Sequence, residues 1–225
     1  MTPTHHSPAK KACVLLVDDH PIVRQGLTQL INQEPDLVVC GYAEDGNGAL
    51  SEIAAHRPDI VILDISLKGP DGLVVLKDIR AIDASLPVLV LSMHDESIYA
   101  ERALRAGANG YIMKQVATER VLEAIRRIRA GEVYVSDQIS RRLLRQIVSG
   151  PSQKGSPIES LTDRELEVFR LIGKGLGTRE IAEDMQISVK TVETYQAHIK
   201  EKLSLKNARE LVQHAIQWAT RDDRP

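Results

Sequence analysis

Apolar and polar positions alternate in two regimes along this chain. Up to about residue 131, short runs of Val, Ile and Leu, each closed by a polar residue, take turns with segments striped at helical spacing. The runs are Val14-Leu15-Leu16-Val17, Leu37 to Cys40, Ile60 to Leu63, Val88-Leu89-Val90-Leu91 and Gly110-Tyr111-Ile112-Met113. The stripes include Val23, Leu27, Leu30 and Ile31; Leu50, Ile53 and Ala54; Leu73, Leu76 and Ile79; and Val121, Leu122, Ile125 and Ile128. Strands with no alternation are buried on both faces, which predicts a parallel sheet covered by helices on each side. The fold expected is a doubly wound five-stranded α/β domain over residues 12–131, after a polar tail at 1–11.

Beyond Gly131 the strands stop. One helix is predicted from Asp137 to Val148, and the Gly, Pro and Ser content of 149–157 marks a linker, so that 132–157 joins two domains. Residues 158–225 then read as short helices only. Thr162-Asp163-Arg164-Glu165 is a capping box opening a helix to about Lys174, which Gly175 and Gly177 end. Helices follow over Thr178–Met185, Ser188–Leu203 and Ala208–Thr220. Ile181, Ala182, Met185, Ile187, Val192, Ile199 and Leu203 fall on facing sides of the first two, the pattern of a helix-turn-helix. The last carries Leu211, Val212, Ala215, Ile216 and Ala219 on one broad stripe.

Composition narrows this picture without deciding it. The 225 residues are 43% hydrophobic and 27% charged, ordinary for globular domains, and the net charge of −2 gives no bulk case for nucleic acid. A DNA-binding claim must rest on a local motif. Cys13 and Cys40 each fall in a predicted strand, and so sparse a pair reads as reduced buried thiols in a reducing compartment. With no signal-peptide or transmembrane stretch, the expectation is a cytoplasmic protein. His5 and His6 in the polar tail read as solvated.

The candidate chemistry lies where the apolar runs stop. The first strand ends on Asp18-Asp19, the third on Asp64, the fourth on Ser92 and the fifth on Lys114. A lone Asp after a strand is ordinarily a cap or turn residue. In an open α/β sheet, however, all five residues meet in the crevice at the carboxyl edge. Crowded carboxylates suit a hard divalent ion such as Mg²⁺. A carboxylate beside such an ion, a lysine and a hydroxyl is equipped to attack phosphorus.

Asp18-Asp19, Asp64, Ser92 and Gly110-Tyr111-Ile112-Met113-Lys114 resemble the receiver domain of two-component response regulators. The resemblance implies that Asp64 accepts a phosphoryl group from a sensor histidine kinase or from acetyl phosphate. It implies that Asp19, Asp64 and the carbonyl of Ser66 hold Mg²⁺, with Asp18 acting through water, and that Ser92 and Tyr111 form the switch. Two positions depart from the common pattern. Lys68 stands where many receivers have proline, the proline here being Pro70, and Gln115 follows the lysine, so a trans bond is expected there.

Leu161-Thr162-Asp163-Arg164-Glu165 and Val189-Lys190-Thr191-Val192-Glu193 are similar to the LuxR-type DNA-binding domain of NarL/FixJ response regulators. By that resemblance Glu193 and Thr194 reach the groove of double-stranded DNA. Arg179, Lys190 and Thr191 contact phosphates, and Ala197 and Lys200 lie on the same exposed face. A homodimer on a two-fold site is implied, with the last helix as its contact and RNA polymerase as a further candidate partner. The expected function is a phosphorylation-activated transcriptional regulator and not an enzyme. A phosphotransferase would want a second carboxylate two residues after Asp64, where Ser66 stands, and no G-x-G-x-x-G follows the first strand. A regulator acting through protein partners alone is the remaining alternative.

Overall fold

The computed structural model describes residues 11–67, 72–149 and 157–222. His5 and His6, the Lys68 to Pro70 turn and most of the Gly/Pro/Ser linker lie outside them. Strands β1 (Ala12–Val17), β2 (Leu37–Ala43), β3 (Ile60–Asp64), β4 (Val88–Ser92) and β5 (Gly110–Met113) form one parallel sheet in the order β2-β1-β3-β4-β5. Helices α1 (Pro21–Asn32), α2 (Gly46–His56), α3 (Gly72–Ile82), α4 (Glu96–Arg105) and α5 (Ala117–Arg129) follow the strands in turn.

Side-chain alternation along each strand divides the core. Val14, Leu16, Ile60, Ile62, Leu89 and Leu91 pack with Leu27, Ile31, Val121 and Ile125 of α1 and α5. Leu15, Val17, Val61, Leu63, Val88 and Val90 face Ile53, Leu73, Leu76 and Ala100 of α2, α3 and α4. Removing such side chains from water is worth about 1.5–3 kcal/mol each, which is why these five runs specify the sheet. The strand order reverses between β1 and β3, and the crevice opened there lies at the carboxyl edge.

One close approach shapes this edge. Gly72 opens α3 so near β3 that a Cβ would come within 2.5 Å of the Asp64 carbonyl oxygen. At the opposite edge Arg80 donates to the carbonyls of Gly107, Asp83 and Leu86 and to Asn109 Oδ1, at 2.6–3.2 Å. After α5 the chain returns to β5, where Tyr134 bridges Gly110.

One expectation is overturned. Cys13 and Cys40 are joined in a disulfide, with Cα atoms 5.4 Å apart. The register of β1 on β2 shifts at this point, pairing Val14 with Val39 but Leu15 with Gly41, so Cys40 is an extra residue bulged toward the neighbouring strand. The expected pair of reduced thiols is replaced by a disulfide because β1 and β2 are neighbours in the sheet, which the spacing of the cysteines along the chain does not reveal.

The remaining helices are α6 (Asp137–Ser149), α7 (Asp163–Gly173), α8 (Thr178–Asp184), α9 (Val189–Lys202) and α10 (Ala208–Asp222). The predicted capping box is formed at α7: the Glu165 N–H donates to the Thr162 hydroxyl and the Thr162 N–H to Glu165 Oε2. Ile181, Ala182, Met185, Val192 and Ile199 are buried between α8, α9 and α7, as the helix-turn-helix pattern requires. The broad stripe on α10 is split. Leu211, Ala215 and Ala219 are buried, with Gly173 so close that a Cβ would lie 2.5 Å from the Ala215 carbonyl. Val212 and Ile216 are 43% and 45% exposed. Among the described residues no helix is long and apolar enough to cross a membrane.

Candidate functional site

Strand register explains why distant residues converge. Val17 pairs with Leu63, Asp64 with Leu91, and Ser92 with Met113, so each strand runs out at the same level and presents its next polar residue there. Lys114 bridges the result, its ammonium 2.7 Å from both Asp18 Oδ2 and Asp64 Oδ2. The other Asp64 oxygen accepts the Ser66 N–H at 2.8 Å. His20 places Nδ1 2.8 Å from Asp19 Oδ1 and 3.1 Å from Asp18 Oδ1. Oxygens of Asp18, Asp19 and Asp64 and a His20 nitrogen all lie within 4.8 Å of one another.

Burial makes this cluster electrostatically tense. The Asp64 side chain is fully covered, and this pushes its carboxyl above the usual carboxylate range, a shift that Lys114 and the Ser66 N–H oppose without cancelling. Burial would lower the Lys114 ammonium, but the charges of Asp64 and Asp18 outweigh it and hold its pKa above the ordinary lysine value. Lys114 is therefore a fixed positive charge beside an acceptor carboxylate. Asp18 is anchored from behind, its carbonyl accepting from Arg24 at 2.6 Å.

Ser92 is buried, and its hydroxyl accepts the His94 N–H at 2.9 Å. Tyr111 is turned inward, 2% exposed, and donates its hydroxyl to the His94 carbonyl at 2.8 Å. His94 itself is buried, with Nε2 3.1 Å from Ser66 Oγ and its ring stacked on Tyr99 at 4.6 Å. All described peptide bonds are trans, that of Lys114 and Gln115 included. The structure thus gathers Asp18, Asp19, Asp64, Ser66, Ser92, Tyr111 and Lys114 around one edge. His20 and His94 were missed by the sequence reasoning, although each stands within two residues of a residue it had singled out.

The predicted DNA-facing residues are on the open side of the tail domain. Arg179, Lys190, Glu193, Thr194 and Ala197 are exposed, whereas Thr191 and Lys200 are half-buried. Ser188 caps α9 by accepting the Thr191 N–H, and the Thr191 hydroxyl lies 2.7 Å from Ser188 Oγ. The Thr194 hydroxyl donates to the Lys190 carbonyl at 2.9 Å, so in this state it is turned along the helix.

Comparison with known proteins gives the same division. Residues 14–126 match the response regulator receiver domain, and residues 159–215 match the bacterial regulatory proteins of the luxR family. The oxygen regulatory protein NreC of Staphylococcus carnosus is 36% identical over 209 residues, covering 91% of this chain and 96% of that protein. RcsB from Salmonella enterica serovar Typhimurium, bound to promoter rprA in the presence of phosphomimetic BeF3−, superposes with a TM-score of 0.67 at 25% identity over 92% of this chain and 98% of RcsB. A structure of two RcsB dimers bound to two parallel DNAs gives a TM-score of 0.56 at 26% identity, over 91% of this chain and 97% of that one. A parallel sheet ordered 2-1-3-4-5, an acidic edge and a helix-turn-helix tail, matched over nearly the whole chain by such relatives, make this protein a member of the response regulators that join a receiver to a luxR-family DNA-binding domain.

Proposed function

We propose that Asp64 takes up a phosphoryl group from the phosphohistidine of a sensor kinase, or from acetyl phosphate, and that this activates DNA binding by the tail domain in the cytoplasm. The observation that carries the reading is the meeting of Asp18, Asp19, Asp64 and Lys114 at one sheet edge. An Asp64 carboxylate oxygen forms the new bond to phosphorus as the bond to the donor's nitrogen or oxygen breaks, and the donor leaves with that electron pair. Lys114 and the Ser92 hydroxyl then face the phosphoryl oxygens. Three of the four clustered groups offer hard carboxylate oxygens, which fits Mg²⁺, with Asp19, Asp64 and the Ser66 carbonyl as ligands, Asp18 acting through water and the His20 nitrogen beside them outside the ligand set. When bound, that ion supplies neutralising charge for the phosphoryl oxygens. With Ser66 where a hydrolase would want a second carboxylate, uptake is stoichiometric and serves signalling.

Glu193, Thr194 and Ala197 of α9 face base edges in the major groove, while Arg179, Lys190 and Lys200 neutralise phosphates and the Thr191 hydroxyl donates to one. The exposed Val212 and Ile216 of α10 meet their two-fold mates in a homodimer on DNA. The test is intact mass after incubation with acetyl phosphate, with and without Mg²⁺. Wild type gains one phosphoryl group only with Mg²⁺ and the Asp64→Asn chain gains none; equal uptake by the two would refute Asp64 as acceptor.

A further inference from the structure

Nothing in the phosphoryl chemistry calls for the bond between Cys13 and Cys40, yet its position bears on the pocket. β2 lies at the edge of the sheet and pairs with β1 alone. An edge strand with one neighbour opens locally at little cost, and a covalent tie to that neighbour removes those openings. The two cysteines are 27 residues apart, and the loop they close holds Asp18, Asp19 and the whole of α1. Oxidation therefore draws a ring around the acidic turn.

Asp18 hangs from the far end of β2. Its N–H donates to the Ala43 carbonyl at 3.0 Å, and its own carbonyl accepts from Arg24 at 2.6 Å. The same guanidinium pairs with Glu44 at 2.6 Å and lies over the Tyr42 ring, 5.4 Å from its centre. Tyr42, Ala43 and Glu44 thus set the position of Asp18, and with it that of the adjoining Asp19. The bulge at Cys40 decides which β2 residues arrive there, since the pairing shifts between Val14 and Leu15. The bond sits on the bulge itself.

Both cysteines are half-buried, so a small thiol can reach the bond. In the cytosol such bonds serve chiefly catalysis or redox sensing. The open form also has a place prepared. Cys40 Sγ lies 3.6 Å from the Val14 carbonyl oxygen, an acceptor for its S–H once the bond is broken.

We propose that Cys13 and Cys40 are a reversible thiol–disulfide site, closed by exchange with a small-molecule disulfide, whose closed state steadies Asp18 and Asp19 for Mg²⁺ and so quickens phosphoryl uptake at Asp64. The uptake part rests on the reading of Asp64 as acceptor. In closing, one cysteine thiolate attacks a sulfur of the small disulfide, whose S–S bond breaks and whose other half leaves as a thiolate and takes a proton. The second cysteine thiolate attacks the protein sulfur of that mixed disulfide, forming the Cys13–Cys40 bond and releasing the second small thiol. The cysteine pair loses two electrons, the small disulfide gains them, and the two cysteine protons end on the released thiols.

The test equilibrates the full chain in a series of reduced and oxidised glutathione buffers, quenches it with an alkylating agent and reads the intact mass. The closed fraction should rise through a midpoint. Mg²⁺ should move that midpoint toward the more reducing buffers, because an ion that binds the closed state better must favour closure by the same factor. Asp19→Asn should abolish the Mg²⁺ shift. Uptake from acetyl phosphate should run roughly fivefold or more faster in closed than in open wild type, and Cys40→Ser should be slow in every buffer. A wild-type chain that stays closed, or stays open, in every buffer overturns the exchange. A midpoint blind to Mg²⁺, or shifted equally in Asp19→Asn, overturns the link to the acidic turn, and equal uptake by the two states overturns the effect on Asp64. A wild-type chain that takes no phosphoryl group in either state overturns the Asp64 reading, and the Mg²⁺ shift then judges the redox link by itself.

Discussion

Lys114 compensates two buried carboxylates at once, so its removal tests the pocket's electrostatics directly. Lys114→Ala leaves Asp18 and Asp64 facing each other and should cost about 3 kcal/mol in a metal-free buffer, read as a lower urea midpoint. Added Mg²⁺ should raise that midpoint more in the variant than in wild type, and an equal rise would argue against a shared acidic site. Glu165 presents the opposite balance. Burial would raise its carboxyl, but the bonds to Lys202 and to Thr162 outweigh this and hold it below the ordinary glutamate value of 4.5. A lowered carboxylate adds stability that is present above that value and lost as pH falls through its folded pKa. Glu165→Gln should therefore cost about 1–2 kcal/mol near pH 7 and distinctly less near pH 3. A penalty independent of pH would sink this account. The pocket carboxylates were legible because each ends an apolar run. His20 and His94 were not, since both sit in turns where no periodicity says which way a ring points.

At the level of elements, periodicity located the helices well but could not say what each face meets. The stripe on α10 is the clearest case: Leu211, Ala215 and Ala219 go to the core against α7, and Val212 and Ile216 to the surface. Spacing alone cannot separate them, because the five positions span an arc wide enough to serve a core and a partner together. Ile216→Asp should weaken binding to a two-fold DNA site at least tenfold while leaving half-site affinity within about twofold. Equal losses on both would place the dimer contact elsewhere. On α9, Lys190 is exposed and free of any described ion pair. Lys190→Ala should lower affinity similarly across sequences and reduce the salt slope by about one, whereas a sequence-dependent loss would make Lys190 a base-reading residue. The pairing of Cys13 with Cys40 was likewise hidden, because strand order, which the chain does not spell out, decides whether two strand cysteines meet.

Across the whole molecule the receiver and the tail share one continuous apolar core cluster, with Leu73 and Tyr99 in the same set as Leu161 and Leu166. Nothing in the periodicity of either domain announces that contact, for it depends on the arrangement of two finished folds. Arg80 then decides what kind of motion α4 is allowed. Its bonds to Gly107 and Asn109 nail down the carboxyl end of that helix, while the amino end follows directly on Ser92 and His94. A helix pinned at its carboxyl end swings as a lever about that fulcrum, so any displacement of α4 is largest at Glu96 and Ser97, where it is tied to Ser136 and Arg142, and smallest near the pinned end.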